Sequence, residues 1–290
     1  MVKSIALPTG ITLQYAEQGL ASGVPVVFLH GVTDSWRSFE PVLERLPPTV
    51  RALAVTQRGH GGSSKPAAGY GYRDLSEDVR GFMDALQLPT AVIVGHSMGS
   101  MVAQRFAADH PERVAGLVLM GAFRTIHGDA GVQAFWDSAL STLEDPIDPA
   151  LAREFQVSTL ARAVPPELLA TAVAESLLVP ARVWRAAFRG FLDTPDFSAE
   201  LARVTAPALI VWGDRDTYTT AADQEALRGA VPGARLLVYR GGGHAFHWED
   251  PGRFANDLVA FLYERRAQGR QEMEGARATR QFTPAPHAAE

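Results

Sequence analysis

The chain contains no cysteine, which excludes disulfides and thiolate metal sites. No apolar run approaches the roughly 18 residues of a membrane span. The N-terminus, "MVKSIALPTGITLQYAEQG", has one lysine but neither an unbroken apolar stretch nor a small-residue cleavage site. No block of like charge stands out. With 27 basic and 32 acidic residues the net charge is −5, which argues against nucleic acid or an anionic membrane as partner. Eight histidines are present, but none forms an H-x-x-x-H pair on a helix, and neither a metal nor a cofactor is expected. No internal repeat is visible. These absences describe a soluble, cytoplasmic chain, monomeric or homodimeric. Its 290 residues suit one large domain or a domain with an insertion.

What the sequence does contain is an alternation of short apolar runs and helical patterns. The runs are "VPVVFLHG" (Val24 to Gly31), "VRALAVT" (Val50 to Thr56), "TAVIVGHS" (Thr90 to Ser97), "VAGLVLMGA" (Val114 to Ala122), "APALIVWG" (Ala206 to Gly213) and "ARLLVYRGGG" (Ala234 to Gly243). They are continuously apolar, as strands buried on both faces are. Between them lie stretches such as "YRDLSEDVRGFMDALQL" and "MGSMVAQRFAADH", which read as helices. Strand and helix in alternation predict a parallel sheet covered on both sides. The opening "SIALPTGITLQYAE" predicts an antiparallel hairpin at the sheet edge.

The alternation stops between Phe123 and about Val204. Only helical, aromatic-bearing stretches occur there, each introduced by Pro or Gly. A helical insertion between two parallel strands predicts a cap over the carboxyl ends of the strands, where ligands bind. The expected division is a core of residues 1–122 and 205–266, a cap of 123–204, and a polar, disordered tail over 267–290.

One segment carries the strongest chemistry. Gly95-His96-Ser97-Met98-Gly99 is a G-x-S-x-G with a strand before it and a helix after it. A sharp strand-to-helix turn projects Ser97 Oγ above the sheet, with a helix N-terminus behind it to stabilise negative charge. Serine at its ordinary pKa needs a base, and the base needs an orienting acid. In the order serine, acid, histidine, His244, His247 and His287 follow the candidate acids, and His287, in the polar tail, is expected to be inert. Three glycines precede His244 and let its loop swing over the sheet, so His244 is the expected base. His247 is expected to line the pocket or start the last helix. Two aspartates, Asp214 and Asp216, follow the strand ending at Gly213. Residues two apart share a strand face, so alternation does not separate them. Asp214, next to the glycine, is placed to bond its own backbone two residues on and shape the turn. Asp216 is free to reach the His244 loop.

Together His30-Gly31, Arg58-Gly59-His60-Gly61 with Ser63, Gly95 to Gly99, Gly213 to Asp216, Gly243-His244 and Glu249 to Pro251 resemble the α/β-hydrolase superfamily. Within it the chain is similar to capped serine hydrolases, the bacterial carboxylesterases and cofactor-free haloperoxidase-like enzymes. The resemblance runs from Leu29 to about Tyr263. It implies a mostly parallel eight-stranded sheet with helices on both faces and an inserted helical cap. It also implies hydrolysis of a small to medium, neutral ester or lactone without a cofactor. Asp216 stands where the resembling enzymes keep their acid. The oxyanion donors are expected to be the backbone N–H of Met98, directly after the nucleophile, and by resemblance that of Val32. In one place the pattern differs: Thr56 stands where such enzymes commonly carry an Asp two residues before the Arg. Ser97 excludes the epoxide hydrolases and haloalkane dehalogenases of this fold, which use Asp there. Hydrolytic C–C cleavage, perhydrolysis and a non-enzymatic ligand receptor retaining the triad are the alternatives. Trp36, Phe123, Trp136, Phe155, Trp184, Phe188 and Phe191 are the expected apolar pocket residues.

Overall fold

A computed structural model describes residues 1–264. The expected disordered tail therefore lies outside the described residues. The sheet has eight strands: β1 (Val2–Ala6), β2 (Thr12–Gln18), β3 (Val24–Leu29), β4 (Val50–Thr56), β5 (Ala91–His96), β6 (Val114–Met120), β7 (Ala208–Gly213) and β8 (Arg235–Tyr239). Their order is β1-β2-β4-β3-β5-β6-β7-β8. β1 and β2 form an antiparallel hairpin, β2 pairs antiparallel with β4, and every other pairing is parallel. The chain leaves β3 for one neighbour and returns to the other, β5. The carboxyl ends of β3 and β5 thus lie side by side at the switch point where ligand sites form in open α/β sheets.

Strand side chains divide between two hydrophobic layers with period two. Val27 and Leu29 of β3 and Ile93 of β5 join one layer with Phe82, Phe106 and Trp184. Val26, Phe28, Val92 and Val94 join the other with Phe39, Phe254 and Leu258. Both sheet faces are covered, so each strand reads as a continuous apolar run. Helix α1 (Glu40–Leu43) follows a 3₁₀ turn at Trp36–Phe39. Helix α2 (Tyr72–Ala85) buries Leu75, Val79 and Phe82, an i, i+4, i+7 stripe. Helix α3 (Met98–Asp109) begins directly after Ser97.

Between β6 and β7 lie α4 (Ala130–Phe135), α5 (Pro149–Ser158), α6 (Pro166–Leu177) and α7 (Ala181–Asp193), with no strand among them. Pro149 and Pro166 occupy the first helical position, where the missing N–H is least harmful. After β7 come α8 (Ala221–Ala230), β8 and the short α9 (Phe246–Glu249). Residues 251–264 are helical and cover the second layer.

The loop after β4 is wired without the aspartate that Thr56 replaces. Arg58 forms a bidentate pair with Asp78 of α2 at 2.5 and 2.6 Å, both side chains buried. Thr56 Oγ1 accepts the backbone N–H of Trp36 at 3.2 Å.

Candidate active site

The turn between β5 and α3 explains its own sequence. Ser97 sits at φ 53°, ψ −117°, in the region where side-chain-bearing residues are strained. A Cβ on Gly95 would lie 2.2 Å from the carbonyl oxygen of Gly99, and one on Gly99 would lie 2.1 Å from that of Leu29. Only hydrogen fits at either position, so the flanking glycines let α3 press against the ends of β3 and β5. Met98 is the first residue of α3, where N–H groups lack intrahelical acceptors. In the loop after β3, Val32 N–H likewise donates to no other group among the described residues. Burial holds His96, beside Ser97, well down at about 3, and the nearby His244 lowers it further. It is a neutral imidazole whose Nε2 meets the His244 carbonyl at 3.1 Å.

His244 Nδ1 lies 2.8 Å from Asp216 Oδ2. The same oxygen accepts from Thr219 Oγ1 at 2.7 Å, while Asp216 Oδ1 accepts the backbone N–H groups of Tyr218 (2.7 Å) and Thr219 (3.2 Å). Burial alone would raise this carboxyl. The His244 charge and the hydrogen bonds outweigh burial and hold it below the usual carboxylate range. Ionised Asp216 takes the Nδ1 proton of His244 as a hydrogen bond, which leaves Nε2 as the basic nitrogen. Close backbone packing brings the two loops together: a Cβ on Gly213 would lie 2.3 Å from the Gly242 oxygen. On its far side the His244 loop is held by the segment that follows α5. Ala245 N–H donates to Thr159 O at 3.0 Å, and buried Glu249 accepts Gly243 N–H at 3.0 Å and Ala161 N–H at 2.7 Å.

The turn after β7 differs from the expectation. Asp214 does not bond its own backbone two residues on. Its Oδ1 accepts Gly241 N–H at 2.6 Å, across the gap to the segment after β8. The bond to the residue two positions on is made by Asp216 to Tyr218 N–H. One carboxylate both shapes the turn and orients the imidazole.

Ser97, His244, His96 and Val32 line a cavity of about 680 Å³ together with residues of α4, α5 and α7. No direct hydrogen bond joins Ser97 Oγ to His244 among the described residues; the two side chains share the cavity wall. Phe123, Phe155, Phe188 and Phe191 line it too, joined by Ile126 and Phe135. The other four residues expected there do not. Trp36 packs on the opposite face of the sheet beneath the Arg37 guanidinium. Trp136 is half-buried against the first hydrophobic layer, with the Arg189 guanidinium 5.7 Å above its ring. Trp184 is fully buried in the core, its edge against Phe155 and its Nε1–H 3.4 Å from the Ser176 carbonyl. His247, inside α9, is fully buried with Nε2 3.2 Å from Ser38 Oγ, and burial first and the neighbouring histidines second push its pKa down. It starts a helix and does not reach the cavity.

Four cavity residues carry no sequence signal that singles them out: Asp34, Gln156, Ser158 and Tyr218. Tyr218 sets its ring 5.0 Å from that of His244, and its hydroxyl lies 2.6 Å from Ser158 Oγ of α5. Asp34 is buried two residues after Val32. Burial raises its carboxyl to about 7, against hydrogen bonds from Gln156 and Ser38 and the His244 charge that lower it. Among the described residues no group of three or more His, Asp or Glu side chains is arranged to hold a metal ion. No helix among them is long and apolar enough to cross a membrane.

The fold is shared with known proteins. The esterase of Exiguobacterium antarcticum superposes with a TM-score of 0.81 at 25% identity, over 91% of this chain and all of that one. An esterase from a Rhodococcus species superposes with a TM-score of 0.79 at 26% identity, over 90% of this chain and 98% of that one. A 2-(acetamidomethylene)succinate hydrolase of Mesorhizobium japonicum is 40% identical over 108 residues, covering 37% of this chain and 38% of that protein. The sequence pattern of the α/β hydrolase fold matches residues 24–251. The chain belongs to the α/β-hydrolase fold family.

Proposed function

We propose that the protein is a serine hydrolase that cleaves a small to medium, neutral carboxylic ester or lactone through an acyl-enzyme. The observation that carries this reading is the Asp216–His244 pair, 2.8 Å apart, on the wall of the same cavity as the strained Ser97. Ser97 Oγ attacks the acyl carbon as its proton passes to His244 Nε2. The carbonyl oxygen becomes an oxyanion held by the N–H groups of Met98 and Val32. When the tetrahedral species collapses, the C–O bond breaks and imidazolium His244 protonates the departing alcohol. Water, giving its proton to His244, then attacks the acyl carbon, and the acid leaves as Ser97 regains its proton.

The cavity chemistry supports a neutral substrate. Five phenylalanines and several aliphatic side chains line much of its wall, and among the described residues no Lys or Arg lines it. An anionic acyl group would find no counter-charge there. Four carboxyls line it: Asp129 accepts Val132 N–H at the start of α4, Asp223 accepts Thr220 N–H at the start of α8, Asp34 is buried against Gln156, and Glu154 lies on α5. Two esterases at 25% and 26% identity over nine-tenths of the chain favour ester cleavage. The test is a panel of p-nitrophenyl acyl esters and lactones assayed with wild type and Ser97→Ala. Repeated turnover abolished in the variant is expected. A single slow acylation without turnover would instead indicate a ligand receptor.

A further inference from the structure

Buried polar side chains gather where the cap meets the loop after β3. Gln156 of α5, only 1% exposed, places Nε2 3.0 Å from Asp34 Oδ1, 3.2 Å from Thr33 Oγ1 and 2.8 Å from Ser176 Oγ of α6. Ser176 Oγ is itself 3.1 Å from Thr33 Oγ1. The other oxygen of Asp34 accepts from Ser38 Oγ at 3.2 Å. An amide with two hydrogens thus faces three acceptors, two of them on consecutive residues of one loop.

That loop is strained. Thr33, β-branched, is held at φ 67°, a left-handed conformation it would leave if nothing over-determined it. Val32, whose N–H is the candidate oxyanion donor, immediately precedes it. The loop also touches the nucleophile: a Cβ on Gly31 would lie 3.2 Å from Asp34 Oδ2 and 3.4 Å from Ser97 Cβ. Asp34, the loop backbone and Ser97 are therefore packed around one point. Nothing in the acyl-transfer chemistry uses Gln156, Thr33 or Asp34 directly, yet their hydrogen bonds are made to the segment whose backbone must not move.

We propose that Gln156, acting through Asp34 and Thr33, is a positioning residue that clamps the oxyanion-donating loop, so that seating of the cap sets the rate of the chemical step as well as enclosing the substrate. This rests on the serine-hydrolase reading of Ser97 and Val32. The physical basis is that a donor aimed at developing charge acts only where it is pre-placed, and a displacement near 1 Å costs up to about 100-fold. The bond to the oxyanion strengthens in the transition state, so loss of the clamp lowers kcat and leaves KM nearly unchanged.

The test measures kcat and KM on one p-nitrophenyl ester for Gln156→Met, Asp34→Ala, Asp34→Asn, the Gln156→Met/Asp34→Ala double variant and Ser97→Ala. For the variants that keep Ser97, rates are normalised to active sites titrated to completion with a fluorophosphonate, which removes misfolded protein from the count; Ser97→Ala is compared per mole of folded protein. Gln156→Met and Asp34→Ala should each lose about 10- to 100-fold in kcat with KM within about threefold. The double variant should be no slower than the slower single, because both changes open one clamp. Asp34→Asn should keep most activity, since its amide oxygen still accepts from Gln156 and its nitrogen can donate to Ser38. A kcat within about twofold of wild type in Gln156→Met, a loss in KM alone, or independent losses that multiply would overturn the clamp. If Ser97→Ala abolishes turnover while Gln156→Met leaves kcat intact, the clamp alone fails. Wild-type turnover in Ser97→Ala overturns the serine reading and the clamp with it.

Discussion

His244 Nδ1 stands 2.8 Å from Asp216 Oδ2, while the other oxygen of that carboxylate accepts Tyr218 N–H at 2.7 Å. The acid is locked by the turn it shapes, and through it the imidazole. Asp216→Asn keeps the shape but removes the charge and favours the wrong tautomer. It should lower kcat by about 10³- to 10⁴-fold. Asp214→Asn, which perturbs a bond to Gly241 N–H and an exposed 3.8 Å ion pair with Arg240, should stay within about tenfold. Steady-state rates of the two variants check this, and a larger loss in Asp214→Asn would exchange the roles.

Gly99→Ala should be severely destabilised, because its Cβ would meet the Leu29 oxygen at 2.1 Å and backbone cannot yield there. Gly229→Ala is the matched control. It lies within α8 with nothing inside 4 Å of the added Cβ, and should gain up to about 1 kcal/mol from helix propensity. Thermal melts of both variants decide the matter. A wild-type melting temperature in Gly99→Ala would contradict the close packing of α3 on β3.

Asp34 links pH to stability. Burial raises its carboxyl to about 7, with Glu175 adding to the rise and Gln156, Ser38 and His244 opposing it. In the unfolded chain an aspartate titrates near 4. Between about pH 4 and 7 the folded protein keeps a proton that the unfolded chain has released, so this contribution to stability is lost as pH rises. Asp34→Asn removes the dependence. Its melting temperature relative to wild type should rise from pH 4 to pH 8, with a ceiling of about 4 kcal/mol. A difference that stays flat with pH would show that Asp34 is ionised throughout.

Glu249 joins the His244 loop to the cap by accepting N–H groups from Gly243, Ala161 and Arg162. Glu249→Ala leaves these donors without a protein acceptor and should cost about 1–3 kcal/mol. It should also lower kcat if His244 is the base, because Gly243 directly precedes it. Unfolding in urea together with kcat separates the two effects. Unchanged kcat in the folded variant would show that the loop is held in place without the cap.

The fold was legible because strands buried on both faces leave continuous apolar runs, as in "ALIVWG" of β7, and the G-x-S-x-G lay between one such run and a helix. Chain order left the last histidines, and the three glycines before His244 chose it over His247. Other features depend on distances between remote segments. Trp184 and Phe188 lie four apart on one face of α7, yet only Phe188 reaches the cavity. Which one does so follows from how α7 sits on its neighbours, which periodicity does not encode. The same holds for Trp36, which its 3₁₀ turn delivers to the far side of the sheet. Asp34 and Gln156 are polar residues with local readings as a turn former and a helix surface. Only a tie spanning more than a hundred residues buries them together. The roles of Asp214 and Asp216 were separable only in part, because the backbone N–H groups each one meets depend on where the segment after β8 returns.

The central claim is that acyl transfer passes through Ser97. Rapid quenching of wild type during turnover of p-nitrophenyl butyrate, followed by peptide mass measurement, tests it most directly. The account predicts a butyryl adduct on Ser97, formed and discharged at rates that match kcat, and neither adduct nor turnover in Ser97→Ala. Steady turnover with no adduct at Ser97, persisting in Ser97→Ala, would contradict it.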